Sequence, residues 1–362
     1  MKIAFYGSSL LSSWWNGAAT YYRGLLRDLA ARGYDISFYE PDAYQRQEHR
    51  DLDPPDWARS VVYPASAEGL ASVLQEAAAA DIVIKASGVG VFDRELLEGI
   101  VEHSRDDALR IFWDVDAAAT LAEMAGDADH PVRRALPSLD LVLTYGGGPP
   151  VVDAYQRLGA ARCVPIYNAV DPGTHHPVAP DPRFKADLSF LGNRLPDREG
   201  RVEQFFLLAA AMLPDRSFLI GGNGWESRTM PPNVRHIGHV FTHDHNAFNC
   251  SALAVLNVAR DSMAQVGFSP ATRVFEAAGA GACLITDAWE GIEYFLKPDV
   301  EVLVARDGQD VADHVRQLTP ERAKAIGAAA LDRVRSEHSY AQRGEQVDEL
   351  LRASMPRRRS AA

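Results

Sequence analysis

The sequence predicts an α/β protein with two doubly wound domains, each built on a parallel sheet. Short apolar runs alternate with longer segments of helical period, as they do where strands are joined by helices. The runs are apolar on both faces, which is typical of strands covered by helices on each side. A stretch with four prolines, residues 171–182, interrupts this alternation, which then restarts. A chain of 362 residues is long enough for two such domains.

The first half begins with the run Lys2–Tyr6, a predicted strand, followed by a periodic segment that predicts a helix from about Gly17 to Arg32. Five more apolar runs predict strands at 35–39, 81–85, 109–113, 139–144 and 163–167. Further helical periods are centred on residues 94–103 and 151–158. Together these elements predict an N-terminal Rossmann-like domain at residues 1–172.

The second half repeats the pattern after a predicted linker at residues 173–186. The predicted strands are 187–191, 217–220, 234–237, 252–257, 282–286 and 302–304, with a helix near 201–213. They predict a second Rossmann-like domain at 187–340. Residues 320–351 have helical character, so we expect 341–362 to form a C-terminal helix and a basic tail, Pro356–Ser360, that is frayed and solvated.

The charge and cysteine content exclude several classes of protein. The net charge is -12, which disfavours nucleic acid as the main partner, DNA-base substrates included. The three cysteines lie far apart and form neither a disulfide framework nor a zinc motif. Since the sequence contains neither a signal-like segment nor an apolar run long enough to span a membrane, we expect a cytoplasmic protein. Arginine supplies nearly all the positive charge, so phosphate contacts are expected to be bidentate.

In the first half, polar and aromatic residues follow the predicted strands. The turn Gly7-Ser8-Ser9-Leu10 is not a dinucleotide fingerprint, and the following loop contains Trp14, Trp15 and Asn16. Tryptophans stack on the apolar faces of sugars, although two beside a helix start are equally explained by packing. Asp114 and Asp116 end another strand and are candidates for a catalytic base, with capping of the next helix as the alternative for Asp116.

In the second half, Gly192, Asn193 and Arg194 form a small-residue turn after a strand, and Arg198 and Arg201 follow. Backbone N–H groups at a helix start and arginine side chains make a diphosphate site physically reasonable, although solvation also explains Arg201. Glu276 lies in a helix rich in small residues. There it could accept hydrogen bonds from a ribose diol or simply favour the helix dipole.

The histidines do not predict a metal centre. His243 and His245 lack zinc-ligand spacing and are expected in a polar loop. His239 ends a predicted strand, where its side chain could contact a phosphate or a base. We therefore expect no metal and no cofactor.

Taken together, these motifs resemble the CgeB-like glycosyltransferases, the group around spore maturation protein CgeB. The resemblance extends over about residues 80–320, in order as well as in content. It is carried by the segments 111–116, 140–145, 167–171 with His176-Pro177, 187–193 with Arg198, 273–281 through Thr286-Asp287, and 301–303. The run Arg273-Val274-Phe275-Glu276-Ala277-Ala278-Gly279-Ala280-Gly281 is the most specific of them.

This resemblance implies the GT-B architecture, in which two Rossmann-like domains face a central cleft. The C-terminal domain would hold a nucleoside-diphosphate sugar of the UDP, dTDP or GDP type. By this reading Gly192, Asn193, Arg194 and Arg198 surround the diphosphate and Glu276 meets the ribose, with His239 and Arg273 also on the donor side. The N-terminal domain would hold a small-molecule, glycan or protein acceptor, for which Trp14, Trp15 and Asn16 are the candidate residues.

The function predicted in this way is metal-independent glycosyl transfer of the hexosyltransferase type. Related enzymes often carry a second Glu eight residues before the first, where this chain has Phe268, so the stereochemistry stays open. If the configuration inverts, Asp114 or Asp116 would take the acceptor proton. Two alternatives are a nucleotide-sugar epimerase of the same architecture and a catalytically silent sugar-nucleotide-binding protein.

Overall fold

A computed structural model describes residues 1–355, which form two compact units. The first unit combines Met1–Tyr167 with the C-terminal segment from Tyr340, and the second is Asn168–Ser339. The segment predicted as a linker, 173–186, is part of the second unit, and the last helix is part of the first. The predicted basic tail, Pro356–Ser360, lies outside the described residues.

The first unit is built on a seven-stranded parallel sheet. Its strands are β1 (Lys2–Tyr6), β2 (Asp35–Asp42), β3 (Arg59–Pro64), β4 (Ile82–Ala86), β5 (Leu109–Asp114), β6 (Leu141–Thr144) and β7 (Cys163–Pro165). The helices between them are α1 (Ala19–Ala31), α2 (Ala67–Gln75), α3 (Asp93–His103), α4 (Ala117–Gly126), α5 (Pro131–Ala135) and α6 (Gly148–Arg157).

The strand order of the first unit is β3-β2-β1-β4-β5-β6-β7, so the direction of winding reverses between β1 and β4. Open α/β sheets bind ligands outside the carboxyl ends of the strands at such a reversal. The loop with Trp14 and Trp15 follows β1, and Asp114 ends β5. The edge strand β3 was not predicted, because its first residues, Arg59 and Ser60, are polar and the strand is only half buried.

The second unit repeats this topology in a six-stranded parallel sheet. Its strands are β8 (Ala186–Leu191), β9 (Phe218–Gly221), β10 (Val234–His236), β11 (Ala252–Asn257), β12 (Leu284–Asp287) and β13 (Leu303–Ala305). Its helices are α7 (Pro196–Val202), α8 (Leu208–Met212), α9 (His245–Ser251), α10 (Asp261–Val266), α11 (Thr272–Gly279), α12 (Ile292–Phe295), α13 (Gly308–Gln317) and α14 (Pro320–Glu337). A π-helical segment at Glu203–Leu207 joins α7 to α8.

The order β10-β9-β8-β11-β12-β13 places the reversal of the second sheet between β8 and β11. Buried apolar residues of the strands, such as Leu188, Ile220 and Leu256, pack against helix residues such as Phe206 and Val311. Each strand of this sheet overlaps a strand predicted from its apolar run. The sequence therefore predicts two doubly wound sheets correctly, and the carboxyl ends of β8 and β11 mark the expected ligand-binding edge.

The final helix, α15 (Tyr340–Ser354), packs on α1 in the first unit. A Cβ on Gly24 of α1 would lie 2.3 Å from the ring of Tyr340, so the missing side chain lets the two helices approach closely. The Tyr34 hydroxyl also donates a hydrogen bond to Asp348, at 2.7 Å. These contacts explain why the last helix belongs to the first unit.

A search of the described residues for membrane spans finds no helix with the length and apolar character needed to cross a bilayer.

Candidate nucleotide-binding site

Gly192 follows the carboxyl end of β8, a central strand next to the point where the strand order reverses between β8 and β11. Its N–H donates to the carbonyl of Gly221 at 3.0 Å. A Cβ on Gly192 would lie 2.9 Å from Nη2 of Arg198. The neighbouring Gly222 has φ +120°, and a Cβ there would lie 2.3 Å from the Gly192 carbonyl oxygen. Glycine is therefore required at position 222 for the close approach of these two loops.

Asn193 and Arg194 are both engaged within the loops. The Asn193 side-chain oxygen accepts a hydrogen bond from the Asn223 N–H at 2.9 Å. The Arg194 guanidinium pairs with Glu199 at 2.6 Å and donates to the Ser227 hydroxyl at 3.1 Å. The contacts give both residues a role in fixing the loops on either side of the strand ends. The predicted role of Arg194 at a diphosphate would require its present partners to be shared or replaced.

Two other arginines hold unsatisfied donors. Nε of Arg198 and both Nε and Nη1 of Arg273 are buried atoms with no hydrogen-bond partner in the described chain. Nη2 of Arg198 donates to the Asn193 carbonyl at 2.5 Å. Burial lowers the pKa of Arg198 to about 10, and the positive charges of Arg273 and Arg260 act in the same direction. Buried donors beside a second cation are the arrangement that an anionic ligand stabilises.

Glu276 lies beside this pair of arginines, one helical turn after Arg273 in α11. Its carboxylate oxygen Oε2 is 3.1 Å from Nη1 of Arg273, yet it makes no aligned hydrogen bond among the described residues. Burial alone would raise the pKa of Glu276, but Arg273, His175 and His245 together hold it below the ordinary value. The site thus contains an ionised, buried carboxylate with one oxygen that faces Arg273 but makes no aligned hydrogen bond.

His175 and His245 approach the same carboxylate from outside α11. Nε2 of His175 is 4.0 Å from Oε1 of Glu276, while Nε2 of His245 bonds the Val240 carbonyl at 3.2 Å. Burial, followed by the charge of Arg273, lowers the pKa of His245 to about 4, so its ring is neutral near pH 7. The prediction of a polar-loop position for His245 is therefore wrong. The fold brings this side chain into a partly buried cluster.

The ring and carboxylate ligand atoms of His175, His245 and Glu276 lie within 4.8 Å of one another, the only such set found among the described residues. A metal ion would nevertheless meet the Arg273 guanidinium, 3.1 Å from the carboxylate. Because like charges repel strongly in a buried site, the arrangement suits hydroxyl donors better than a cation.

His239 lies in an exposed aromatic loop after β10. Its ring meets that of Phe241 edge to face at 4.7 Å, and Phe241 stacks on His243 at 5.7 Å. The ring of Phe241 is 59% exposed. Nothing in these contacts places His239 against the arginines, so its donor-side role stays a prediction.

The loop before α11 contains the position where related enzymes often carry a second glutamate. Gly267 and Phe268 there have φ angles of +74° and +45°, and the Phe268 N–H donates to the Glu290 carbonyl at 2.6 Å. The Phe268 ring fits against Gly291, where a Cβ would lie 2.3 Å from the ring. A partly buried phenyl ring therefore occupies this position, held in a backbone conformation that is strained for a residue with a side chain.

In the first unit, the two candidate bases have different environments. Asp114 is completely buried and accepts hydrogen bonds from Tyr155 at 2.5 Å, from Ser87 at 2.7 Å and from Thr120 at 3.0 Å. Its oxygen Oδ1 also accepts the Asp116 N–H at 3.0 Å. Asp116 is the N-cap residue of α4, is partly exposed and makes no side-chain cap bond. These contacts give Asp114 a structural role and leave Asp116 as the accessible carboxylate.

The second unit has a counterpart of Asp114. Asp287 ends β12, the fifth strand of its sheet, as Asp114 ends the fifth strand of the other. Asp287 is fully buried, accepts the Ala259 N–H and pairs with Arg201 at 2.6 Å. In each unit, a buried aspartate thus ties neighbouring strand-end loops together. The Arg201–Asp287 pair also means that Arg201 is not simply solvated.

The predicted acceptor residues occupy one loop after β1. Trp15 is 62% exposed, whereas Trp14 is partly buried and stacks on His49 with the ring centroids 4.0 Å apart. Asn16 is buried, and its side chain bonds Ser8, Ser9 and Ser12 of its own loop. Asn16 therefore shapes the loop, and the two tryptophans form its surface.

Sequence reasoning found Arg198, Arg273 and Glu276, which the fold brings together, but it missed His175 and His245. The missed residues precede β8 and follow β10, so no spacing in the sequence relates them to α11. The sequence placed Arg201 after the β8 turn together with Arg198, but its pairing with Asp287 was not predicted.

Comparison with known proteins gives one family match. Residues 198–349 match the model of a family described as glycosyl transferase-like. The matched segment includes Arg198, Arg273 and Glu276 and covers less than half of the chain. A comparison with curated protein sequences gives no significant match.

Solved structures resemble the chain over almost its whole length. Sucrose-phosphate synthase from Thermosynechococcus elongatus has a TM-score of 0.70 at 14% identity, with 98% of each chain covered. HepE of Anabaena, in complex with UDP and glucose, has a TM-score of 0.66 at 12% identity, covering 98% of this chain and 100% of its own. The T4 phage enzyme BGT, in complex with UDP-glucose, has a TM-score of 0.61 at 12% identity, covering 98% and 99%. With its two Rossmann-like units, the chain has the GT-B fold of these glycosyltransferases.

Proposed function

We propose that the protein transfers a hexosyl group from a nucleoside-diphosphate sugar to an acceptor hydroxyl. The observation that carries the proposal is the set of unsatisfied buried atoms on Arg198, Arg273 and Glu276. Two guanidinium groups suit a diphosphate, and an ionised carboxylate with an oxygen that lacks an aligned hydrogen bond suits a ribose hydroxyl. A nucleoside diphosphate offers both groups in one molecule.

The same arrangement supports the chemistry of transfer. As the bond between the anomeric carbon and the diphosphate oxygen breaks, negative charge grows on the leaving group. Fixed guanidinium donors stabilise that charge without having to reorganise. Since the two arginines supply this positive charge, we propose a reaction that requires no metal and no cofactor.

Several structural relatives support UDP as the nucleotide. HepE has been solved with UDP and with UDP-glucose, and T4 BGT with UDP-glucose. We therefore propose UDP ahead of dTDP and GDP. We further propose, on the motifs quoted above, that the protein belongs to the CgeB-like group. Asp116 is our candidate for the base that accepts the hydroxyl proton if the transfer inverts the anomeric configuration.

Calorimetric titration of the whole protein with UDP, GDP, dTDP, ADP and CDP tests the nucleotide site. We expect selective binding of UDP, equal in the presence of Mg²⁺ and of EDTA. Arg198→Gln and Arg273→Gln should each weaken UDP binding by about tenfold or more, since each loses a charge-assisted contact of 1.5–3 kcal/mol. Arg306→Gln is the matched control, because Arg306 is an exposed arginine that pairs with Asp310 on α13.

Absence of binding to all five nucleotides, or equal affinity in all the variants, would contradict the assignment. Incubating the protein with UDP-glucose alone separates transfer from the other functions. An isomerised donor would indicate an epimerase. Binding without turnover toward any acceptor would indicate a silent sugar-nucleotide-binding protein.

A further inference from the structure

The loop after β1 and the loop after β2 form one rigid surface in the first unit, and we call it the Trp15 surface. It comprises residues 12–16 and 44–51. Ser12 donates to the His49 carbonyl at 2.7 Å, and the Asp51 N–H donates to the Leu11 carbonyl at 3.1 Å. The rings of Trp14 and His49 stack across the two loops at 4.0 Å.

Buried polar groups hold this surface in place from below. The fully buried carboxylate of Glu40 accepts hydrogen bonds from Ser9 at 3.0 Å and from the Leu10 N–H at 2.6 Å. The Asn16 side chain bonds three serines of the loop. Arg46, which is buried, donates to the Ser8 carbonyl at 3.0 Å. The loop conformation is thus fixed by the folded unit.

The fixed loop holds Trp15 with an unfavourable backbone conformation and an exposed side chain. Its φ angle is +48°, in the left-handed region, and its side chain is 62% exposed. Tyr44 and Gln45 of the neighbouring loop also have positive φ angles, so three of the six such non-glycine residues of the described chain lie here. Strained backbone concentrates at ligand-binding sites, and an exposed indole gains nothing for the fold. Both observations indicate a ligand.

The chemistry of the surface favours a sugar ring as that ligand. The ring planes of Trp14 and Trp15 meet at 83° with their centroids 6.3 Å apart, so one indole offers a flat face and the other stands nearly perpendicular to it. The charges nearby neutralise each other, because Arg23 pairs with Asp51. A flat aromatic face bordered by polar groups fits the C–H face and the hydroxyls of an uncharged pyranose. A polyanion would find no excess of positive charge.

We infer that the acceptor of the proposed transfer is an uncharged glycan or glycoside, and that its pyranose ring stacks on Trp15. Trp14 forms the side wall, and Asn16 positions the loop without touching the sugar. The inference that this saccharide is the acceptor rests on the proposed function. Binding of a saccharide to the Trp15 surface can be measured without any donor.

The experiment uses the full chain and a defined panel: methyl α- and β-glucoside, methyl β-galactoside, maltose, cellobiose and N,N′-diacetylchitobiose. Saturation-transfer NMR identifies the members that bind, and titration gives their dissociation constants. We expect at least one member to bind. Trp15→Ala should weaken its binding by about tenfold, while Trp15→Tyr, which retains a flat ring, should stay within about threefold of wild type.

Two controls accompany these variants. Tyr294→Ala removes an aromatic side chain that is 57% exposed in the second unit, and it should leave saccharide binding unchanged. Calorimetry with UDP should give the same affinity for Trp15→Ala as for wild type, and an unchanged melting temperature of the whole chain should show that the first unit, which carries residue 15, is folded in the variant. If the wild-type protein does not bind UDP, the proposed function is overturned. The saccharide titrations would still test the Trp15 surface.

Two outcomes would overturn the inference. One is the failure of every panel member to bind wild-type protein, and the other is unchanged saccharide affinity in Trp15→Ala. The competing explanation is that the Trp15 surface is a dimer contact, and light scattering tests it by measuring the molecular mass in solution. A dimer that Trp15→Ala dissociates, with no saccharide bound, would identify the surface as a contact between two copies of the chain.

Discussion

Glu276 has a buried carboxylate oxygen that faces Arg273 without an aligned hydrogen bond, and this single residue gives the sharpest test of the nucleotide site. If Glu276 accepts ribose hydroxyls, wild-type protein should bind UDP more tightly than 2′-deoxy-UDP. Glu276→Gln keeps the shape but weakens the acceptor, so its UDP affinity should fall by about tenfold, as expected for a lost bond to a charged group. In Glu276→Gln, the ratio of the affinity for UDP to the affinity for 2′-deoxy-UDP should also be smaller than in wild type. Equal ratios in both proteins, measured by calorimetry, would place Glu276 away from the ribose.

His245 should make stability depend on pH. Burial and Arg273 lower its pKa from 6.5 to about 4 in the folded protein, so the unfolded chain binds the proton more readily. Folded stability is therefore complete above pH 6.5 and is lost as the pH falls toward 4. The loss between pH 6.5 and 5 is about 1.5 kcal/mol from this group. Thermal unfolding at both pH values should show a smaller decrease for His245→Gln than for wild type, and an identical decrease would contradict the assignment.

Asp114 and Asp116 should separate stability from catalysis. Asp114→Asn disturbs a buried carboxylate with four donors, so we expect a loss of about 3 kcal/mol and a lower melting temperature. Asp116→Asn is a nearly isosteric change of a partly exposed group, so the melting temperature should remain within about 1 °C of wild type, as for ordinary surface changes. Transfer activity should nevertheless fall in Asp116→Asn if this carboxylate is the base. Full activity of that variant would remove it from the mechanism.

At the same scale, sequence reasoning selected residues that the fold brings close together when they lie in short segments. Arg273 and Glu276 share one turn of α11, and Arg198 follows the strand end that holds Gly192. It failed for His175 and His245, because their approach to Glu276 depends on how separate loops return to one sheet edge. It also could not distinguish Asp114 from Asp116, since burial by Tyr155 is a property of the folded unit.

At the scale of elements, the packing of α15 on α1 predicts that replacing Gly24, a glycine inside a helix, by alanine lowers stability. Gly→Ala inside a helix normally stabilises by about 1 kcal/mol. Gly24→Ala should instead destabilise, because its Cβ would meet the Tyr340 ring at 2.3 Å. Gly200→Ala is the matched control, since Gly200 lies inside α7 and a Cβ there meets nothing within 4 Å. A higher melting temperature for Gly24→Ala than for wild type would contradict the observed packing.

The elements themselves were largely predictable, because buried parallel strands are continuous apolar runs. The strands β4, β5 and β11 are examples, each with a fully buried core. The edge strand β3 was missed because it is only partly buried and begins with polar residues. The assignment of α15 to the first unit could not be predicted, because the periodicity of a helix does not say which helix it packs against.

At the scale of the whole molecule, the two units differ in chain continuity. The second unit is the single segment 168–339, with its own sheet and core, whereas the first needs residues from both sides of that segment. A fragment of residues 168–339 should therefore fold and bind UDP with an affinity within about tenfold of the whole chain. A fragment of residues 1–167 should melt at a lower temperature than the same fragment joined to 340–355 by a flexible linker. An unfolded 168–339 fragment would contradict this view.

Because the first unit combines segments from before and after the second unit, its parts are synthesised at different times. A ribosome makes the β1–β7 sheet first, but Tyr340 and the rest of α15 emerge only after the whole second unit has been made. The gap beside Gly24 then stays open for the time needed to synthesise residues 168–339, which is about 10 to 35 seconds at typical elongation rates. The domain that begins the chain is therefore the last to be completed. During that interval, the face of α1 that receives Tyr340 and Gly344 remains uncovered.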